Sequence, residues 1–364
     1  MSDAQAPVLA EVRNRIGHLT LNRPDGLNVL TLPMVRLLAE RFEAWKNDPS
    51  VLAVVIRANG EKAFCAGGDV RAIYNSVKAG ETEHEVFFAE EYVLDQEIHA
   101  YPKPVVALMD GLVLGGGMGL VQGATLRVIT ERTKMGMPET AIGYFPDVGG
   151  SYFLSRLPGE LGTYLGVTGL QVRAQDALYA RLADYCLPAS MLEEFDRCLD
   201  NMQWSNHPRE ALRSLIATLA VNKLPAPELQ GLQAVIDQVF ALPDLPSMRT
   251  ALRNESREPY TAWAQATLEI FEQRSPMAMS VTLEMLRRGR QLKIAECFAM
   301  ELHLGDQWFD KGDIMEGVRA LIIDKDKSPR WNPPTLAEVT PERVQAFFDG
   351  YKATTGKTRR SATA

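Results

Sequence analysis

Three short apolar segments rich in β-branched residues constrain the fold of this chain more than any other feature. They are VLAVVIRA, PVVALMDG and LRVIT, and each is bounded by residues that favour turns. Continuous apolar runs of this length are typical of strands that are buried on both faces of a parallel sheet. In a fourth segment, HLTLNR, apolar Leu19 and Leu21 alternate with polar residues, which predicts a half-buried strand.

Helical patterns lie between and after these strands. TLPMVRLLAERFEAWKND repeats its apolar residues at helical spacing, with Thr31 as a candidate N-cap. Beyond about residue 186 the strand signals fade, and amphipathic helices separated by proline-rich joints follow. We therefore predict an α/β core over residues 1–200, a helical region over 201–330, and a short helix with a flexible tail over 331–364.

Composition limits the class of partner and the compartment. The 364 residues carry a net charge of -7, which argues against nucleic acid as the main partner. The four cysteines form no paired spacing, which favours free thiols in a reducing compartment. No signal pattern begins the chain, and no apolar run reaches the roughly 18 residues that span a bilayer. The expectation is a cytoplasmic protein without a membrane partner.

The common nucleotide, serine and metal motifs are absent from the sequence. GGGMGL at 115–120 has Leu120 where a dinucleotide-binding turn needs a small residue, and no GxxxxGK[ST] occurs. Ser151 lacks the following glycine of a nucleophile elbow. The five histidines show no ligand spacing, so we expect no metal and no nucleotide cofactor.

Two glycine-rich turns remain, FCAGGD at 64–69 and DGLVLGGGMG at 110–119, each after a predicted buried strand. Glycine lets the backbone approach a ligand, and two converging amides can stabilise an oxyanion. Tight turns and close helix packing would explain either segment equally well alone. Downstream, GMPETAIGYFPDVGGSYFLSRL places Glu139 and Asp147 eight residues apart among apolar residues, where burial of a charge is costly. Together these features favour chemistry on a carbonyl group.

FCAGGDVRAIY, GLVLGGGMGL and MPETAIGYFPDVGGSYFLSRLPG resemble the crotonase (enoyl-CoA hydratase/isomerase) superfamily. The likeness extends to LNRPDGLNVLT and MEGVRALIIDKDKSPRW and so covers nearly the whole chain. It implies an α/β fold, the crotonase-like spiral of ββα units with a helical C-terminal region. Within the superfamily the chain is most similar to hydroxyacyl-CoA hydrolases. This implies hydrolysis of a short 3-hydroxyacyl-CoA thioester, above all 3-hydroxyisobutyryl-CoA from valine breakdown, with coenzyme A supplied only as part of the substrate.

The resemblance also assigns residues to the two glycine turns. It implies that the amides of Gly68 and Gly116 form an oxyanion hole around the thioester carbonyl. The backbone of Ala66 and Gly67 would line the acyl-CoA channel. Hydratases carry the first of two catalytic glutamates at the position of Gly119, and a glycine cannot do acid–base work.

Glu139 matches the second hydratase glutamate and is the predicted catalytic carboxylate, either a general base or a nucleophile. Asp147 matches the hydrolase pattern and would orient the substrate's 3-hydroxyl or assist proton transfer. The alternatives are that Glu139 caps a turn and that Asp147 begins a helix at VGGSYF. An enoyl-CoA hydratase or isomerase is the alternative function, and a non-catalytic binding protein is a further one.

Four further residues are candidates for contacts with the substrate. FFAEEYVLDQEI reads as a helix whose apolar stripe contains Glu91, and the resemblance places Glu91 at a substrate-contacting position. A solvated helix residue is the alternative. Lys325, Lys327 and Arg71 are candidates for the coenzyme A phosphates, although exposed surface charges explain them equally. A homo-oligomer is possible, because the superfamily often trimerises, but the helical C-terminus could cover that surface instead.

Overall fold

The computed structural model describes residues 6–221 and 224–352. Within these ranges the chain alternates strands and helices up to Leu187 and is helical beyond it. The strands are β1 (Val8–Arg13), β2 (Ile16–Leu21), β3 (Ala53–Ala58), β4 (Ala63–Cys65), β5 (Val105–Met109), β6 (Leu112–Leu114), β7 (Leu126–Thr130), β8 (Lys134–Gly136), β9 (Gln171–Arg173) and β10 (Tyr185–Leu187).

The helices connect these strands and then form the C-terminal region. They are α1 (Leu32–Lys46), α2 (Val70–Ala79), α3 (Glu83–His99), α4 (Gly116–Gln122), α5 (Gly150–Phe153), α6 (Leu161–Thr168), α7 (Ala174–Tyr179), α8 (Leu192–Asn201), α9 (Pro208–Leu219), α10 (Glu228–Phe240), α11 (Leu245–Asn254), α12 (Tyr260–Gln273), α13 (Pro276–Gly289), α14 (Ile294–Lys311), α15 (Ile314–Val318) and α16 (Pro341–Gln345). Thr31 precedes α1, but its side chain makes no capping hydrogen bond.

The strands form two sheets, ordered β1-β2-β3-β5-β7-β10 and β4-β6-β8-β9. Consecutive strands belong alternately to the two sheets. Strands β3, β5 and β7 lie in the larger sheet, and β4, β6 and β8 lie in the smaller one. Within each sheet these strands pair in parallel. The result is the predicted spiral of ββα units, and the predicted fold class is confirmed.

The larger sheet is buried on both faces, as its β-branched segments predict. On β3, Val54 and Ile56 belong to the main core, whereas Ala53 and Val55 face a second apolar cluster. That second cluster is closed by apolar side chains of α8 and α9, including Phe195 and Leu212. No helix in the described ranges is long and apolar enough to cross a membrane.

The helical C-terminal region packs on the core beside the second sheet, with α13 against α6 and α14 against α3. Trp308 of α14 is fully buried, and its indole nitrogen donates a hydrogen bond to the carbonyl oxygen of Gly143 at 2.8 Å. The predicted domain limits stay a prediction, and the end of the predicted tail, 353–364, lies outside the described residues. All four cysteines are free thiols, and the reducing compartment stays a prediction.

Candidate active site

The first glycine turn connects β4 to α2. Gly67 has a φ of 103°, a conformation that favours glycine. The turn is fixed to the segment before α1, because the Leu30 amide donates to the Gly67 carbonyl at 2.8 Å and the Asp69 amide donates to the Leu30 carbonyl at 2.9 Å. The Asp69 side chain then caps α2 by accepting from the Ala72 amide.

The second glycine turn connects β6 to α4 and lies against the first. Because β4 and β6 are parallel neighbours, both turns leave the same edge of the smaller sheet. A Cβ atom added to Gly116 would lie 3.5 Å from the amide nitrogen of Gly68, and one added to Gly117 would lie 2.6 Å from the Cys65 carbonyl oxygen. The glycine at position 117 is therefore required for the two backbone segments to approach this closely, and the 3.5 Å at Gly116 is an ordinary contact distance.

Glu139 follows β8, the next parallel strand of the same sheet, and begins a 3₁₀ turn over Glu139–Ile142. Its side chain is only 7% exposed and reaches back to the second turn, since a Cβ atom on Gly115 would lie 2.7 Å from Oε1. Oε2 has no hydrogen-bond partner among the described residues. Three parallel strands thus deliver two glycine turns and one carboxyl group to a single place.

Asp147 is buried and accepts a hydrogen bond from the Tyr92 hydroxyl at Oδ2, 2.7 Å away. It does not cap the short helix α5, so that alternative is wrong. Glu301 of α14 does this instead, accepting from the amides of Gly149 at 2.7 Å and Ser151 at 2.8 Å. The C-terminal region therefore holds the loop that carries Asp147.

Glu91 lies on the buried face of α3, which excludes the solvated alternative, because its side chain is 1% exposed. Its Oε1 would lie 2.4 Å from a Cβ atom on Gly116 and has no hydrogen-bond partner in the part of the chain that is described. The adjacent Glu90 points outward and pairs with Arg36 at 2.7 Å. Glu91 therefore reaches the second glycine turn.

All the predicted site residues except the candidate phosphate contacts line one cavity of about 220 Å³. The predicted members are Ala66, Gly67, Gly68, Glu91, Gly116, Glu139 and Asp147. Apolar walls come from Phe87, Phe88, Tyr144, Val148, Ile314 and Ile322, which the sequence did not single out. An apolar cavity with a few convergent polar groups is the usual form of a small-molecule site.

Burial raises the pKa of the three carboxyl groups that line the cavity and of Glu301 behind it. The pKa of Asp147 is raised to about 7, mainly by burial, although the Tyr92 hydrogen bond opposes the shift. Burial also raises the pKa of Glu139 and Glu91 well above the ordinary value, and the charge of Asp147 adds to both shifts. The pKa of Glu301 is raised to about 8, again by burial. Of these groups, Asp147 and Glu301 have pKa values that allow proton exchange near neutral pH.

The three basic candidates lie elsewhere. Arg71 donates to the carbonyl oxygen of Ile322 at 3.0 Å and so connects α2 to the C-terminal region. Lys325 and Lys327 are exposed and do not line the cavity. Their contact with a coenzyme A phosphate stays a prediction.

Position 119 has no room for a side chain. A Cβ atom there would lie 2.5 Å from Oδ2 of Asp95 and 2.6 Å from Cβ of Val148. The space that a glutamate would need is thus occupied by Asp95 from α3 and by Val148 from the Asp147 loop. Asp95 carried no sequence signal of its own beyond its position one turn after Glu91.

A sequence model of the enoyl-CoA hydratase/isomerase family matches residues 16–348. The chain belongs to the enoyl-CoA hydratase/isomerase family. Among its relatives, the chicken (Gallus gallus) protein named 3-hydroxyisobutyryl-CoA hydrolase, mitochondrial, is 38% identical over 348 residues, which are 95% of this chain and 90% of the relative. The Arabidopsis thaliana 3-hydroxyisobutyryl-CoA hydrolase 1 is 36% identical over 95% of this chain and 92% of its own length.

Among solved structures, the protein described as a carnitinyl-CoA dehydratase from Mycobacterium thermoresistibile superposes with a TM-score of 0.86. It is 39% identical, and the match covers 94% of this chain and 96% of the other. Family members of similar distance therefore carry names for two different reactions, thioester hydrolysis and dehydration. The curated relatives, at 36–38% identity over 95% of this chain, carry the hydrolase name, and the site residues bear further on the reaction.

Proposed function

We propose that this chain hydrolyses a short 3-hydroxyacyl-CoA thioester, with 3-hydroxyisobutyryl-CoA as the favoured substrate and 3-hydroxyisobutyrate and coenzyme A as products. The names of the relatives from chicken and Arabidopsis support this activity. The small cavity, with its apolar wall and buried carboxyl groups, supports a short polar acyl group.

In the proposed reaction, the amides of Gly68 and Gly116 stabilise the oxyanion that forms when the thioester carbonyl is attacked. Each such donor contributes about 3 kcal/mol of transition-state stabilisation in enzymes where it has been removed. The closeness of the two turns supports this role, because the Cβ position of Gly116 lies 3.5 Å from the Gly68 nitrogen.

Glu139, in its ionised form, either takes a proton from the attacking water or attacks the carbonyl itself to give an anhydride. Its Oε1 lies against Gly115, next to the proposed oxyanion amide of Gly116, which supports either role. Asp147 and Glu91, on other walls of the cavity, would hold the 3-hydroxyl group of the substrate.

One observation carries the choice of hydrolysis over hydration. Hydratases use two glutamates to add water to a double bond, and here the first position is Gly119, whose side-chain space is filled by Asp95 and Val148. Glu139 and both glycine turns are retained. A site with an oxyanion hole and one glutamate suits acyl transfer to water.

Dehydration or hydration of a CoA ester is the second candidate, favoured by the name of the similar Mycobacterium thermoresistibile structure. The deciding experiment incubates the purified protein with 3-hydroxyisobutyryl-CoA in the presence of a thiol reagent, and in parallel with crotonyl-CoA and carnitinyl-CoA under an absorbance assay for the enoyl group. Thiol release from the first ester alone supports the proposal. Turnover of an enoyl or carnitinyl ester without thiol release contradicts it.

The two roles of Glu139 differ in where the oxygen of water goes. In a single turnover in ¹⁸O-water, a nucleophilic Glu139 takes the label into its own carboxyl group when the anhydride is hydrolysed at the enzyme carbonyl, and mass spectrometry of the Glu139 peptide detects it. With a general base the label enters only the released 3-hydroxy acid.

A further inference from the structure

Helix α4 presents a row of glycines to α3. A Cβ atom on Gly116 would meet Glu91, and one on Gly123 would lie 2.8 Å from ring carbons of His99. Between them, Gly119 faces Asp95 at 2.5 Å. The glycines of α4 are three and four residues apart, and the side chains of α3 that face them are four residues apart. These are the spacings of residues on the facing sides of two packed helices. The row therefore accommodates three ionisable side chains in succession.

The two ends of this row, Glu91–Asp95–His99, reach different spaces. Glu91 lines the active-site cavity. His99, eight residues further along α3, lines a separate cleft of about 320 Å³. That cleft is open to solvent, because the arginines on its rim, Arg156 and Arg181, are exposed. The row thus has one end in the buried cavity and the other in the second cleft.

Asp95 lies between them and has no evident structural purpose. It is fully buried, and neither carboxylate oxygen has a hydrogen-bond partner within the described ranges. A buried carboxyl group without a partner is destabilising, so such a residue needs another reason to be there. Residues four apart on a helix have their Cβ atoms about 5–6 Å apart. No hydrogen bond joins Asp95 to Glu91 or His99 within the described ranges, so each transfer along the row would pass through a bridging water.

The proposed hydrolysis requires a route for a proton. Thioester and water give a carboxylate, a thiol and one proton, and this proton must leave each turnover. The long coenzyme A chain would enter from the same side as the glycine turns. Hydration or dehydration of an enoyl ester releases no proton, so this requirement depends on the proposed function.

We propose that Glu91, Asp95 and His99 form a proton exit, which carries the proton of each hydrolytic turnover from the cavity to the Arg156–Arg181 cleft. Glu91 receives the proton in the cavity and passes it to the carboxylate of Asp95. Asp95 passes it to one nitrogen of the His99 imidazole, and the other nitrogen releases its proton to water or buffer in the cleft. Each group returns to its starting state, and no redox change occurs.

The surroundings of the row fit this role. Burial and the nearby Arg127 lower the pKa of His99 to about 4, so its imidazole is neutral at pH 7 and its protonated form exists only transiently, while the proton passes to the cleft. Burial raises the pKa of Asp95, and the charges of Glu91, Asp147 and Glu301 add to the shift. Besides these carboxyl groups, the thiol of Cys65 senses the charge of Asp95. His99 therefore has a much lower proton affinity than the two carboxyl groups of the row.

The first test replaces Asp95 by asparagine, which keeps the shape but cannot carry the proton. In hydrolysis of 3-hydroxyisobutyryl-CoA we expect kcat to fall roughly 10- to 100-fold, with KM unchanged, as for loss of other proton-transfer groups. Glu97→Gln is the matched control, because it removes a carboxyl from the same helix outside the row. A merely structural role would raise KM or lower the melting temperature, and normal kcat in Asp95→Asn would overturn the proposal.

The second test uses His99→Ala with added imidazole. We expect a roughly tenfold loss of kcat in buffers too bulky for the cleft, and recovery of most of it with imidazole, which can enter the cleft. Imidazole should not restore Asp95→Asn, because that position is buried. A loss of kcat that imidazole does not restore contradicts the proposed proton exit. If Asp95→Asn does not fold, the experiment with His99→Ala tests the proposal by itself.

The wild-type enzyme separates the two proposals. If it releases thiol from 3-hydroxyisobutyryl-CoA and the His99 and Asp95 variants behave like it, the proton exit is wrong and the hydrolase stands. If the wild-type enzyme releases no thiol from any 3-hydroxyacyl ester, the proposed function is wrong and the exit falls with it.

Discussion

The carboxyl groups around Arg319 and those in the active-site cavity are the same side chains in opposite surroundings. On the surface, Arg319 pairs with Glu316 at 2.7 Å, Asp324 at 2.7 Å and Asp326 at 2.6 Å. Hydrogen bonds from this guanidinium lower the pKa of Glu316 and Asp326 below the ordinary value. Glu316 and Asp326 are therefore ionised at physiological pH, and their pairing with Arg319 fixes the C-terminal segment.

In the cavity the pKa shifts of the carboxyl groups have the opposite sign. Burial raises the pKa of Asp147 to about 7 and raises that of Glu139 well above the ordinary value, and the charge that acts on Glu139 is another carboxyl group. A carboxyl group paired with a cation stays ionised and serves the structure. A carboxyl group buried beside other acids has a raised pKa and can carry a proton. Three substitutions and one matched control test this distinction.

The largest effect is expected for Glu139→Gln. The amide keeps the size of the side chain but has neither basicity nor nucleophilicity, so kcat should fall by about 10²–10⁴-fold while binding of the CoA ester is nearly unchanged. Thiol release at saturating 3-hydroxyisobutyryl-CoA measures kcat, and calorimetric titration with a non-hydrolysable CoA thioether measures binding.

Glu90→Gln is the matched control, because Glu90 pairs with Arg36 on the surface. It should leave kcat within twofold of wild type, since an exposed ion pair contributes only about 0–1 kcal/mol to stability and none to this site. Equal activity losses in Glu90→Gln and Glu139→Gln would contradict the distinction between the two kinds of acid.

An intermediate effect is expected on stability in Asp147→Asn. The raised pKa means that the folded chain binds a proton that the unfolded chain has lost, so Asp147 destabilises the fold increasingly as pH rises from about 4 to about 7. Removing the charge should therefore raise the free energy of unfolding by roughly 2–4 kcal/mol at pH 8, while hydrolysis is impaired.

Urea unfolding of wild type and Asp147→Asn at pH 8 and pH 5 checks this prediction. The stability gain should shrink at pH 5, where the wild-type carboxyl is already protonated in the folded state. A gain that is the same at both pH values would point to packing rather than to the buried charge.

The smallest effect is expected for Arg319→Gln. Its carboxyl partners are partly exposed, so their pairing is screened by solvent and contributes little. We expect a slight fall in melting temperature that disappears in high salt and when the acids are protonated at low pH. A large fall that salt does not reduce would show that Arg319 acts through packing.

The four inner strands of the larger sheet could be predicted from the sequence, whereas its edge strands β1 and β10 and the smaller sheet could not. VLAVVIRA, PVVALMDG and LRVIT each contain a strand of five or six residues, β3, β5 and β7, whose two buried faces give a continuous apolar run. The strands of the smaller sheet, such as β4 and β6, have three residues. A period of two residues cannot be recognised over so short a length. The spiral of ββα units was therefore predicted from the resemblance to the crotonase superfamily and not from the periodicity of the sequence.

The candidate site was predictable where a motif carried it. The glycine turns, Glu139, Asp147 and Glu91 share one cavity in the structure, although their chemical roles stay predictions. The sequence could not indicate that Tyr92 contacts Asp147 or that Glu301 holds the Asp147 loop from 150 residues away. Contacts between distant segments depend on how the helical region packs, and a single sequence contains no pattern for that packing.

The closed space at position 119 makes a change of reaction difficult for this lineage. Gly119→Glu alone would place a long acid on top of Asp95 and Val148, so the protein would lose its fold before gaining hydratase chemistry. Three segments of the chain would have to change together.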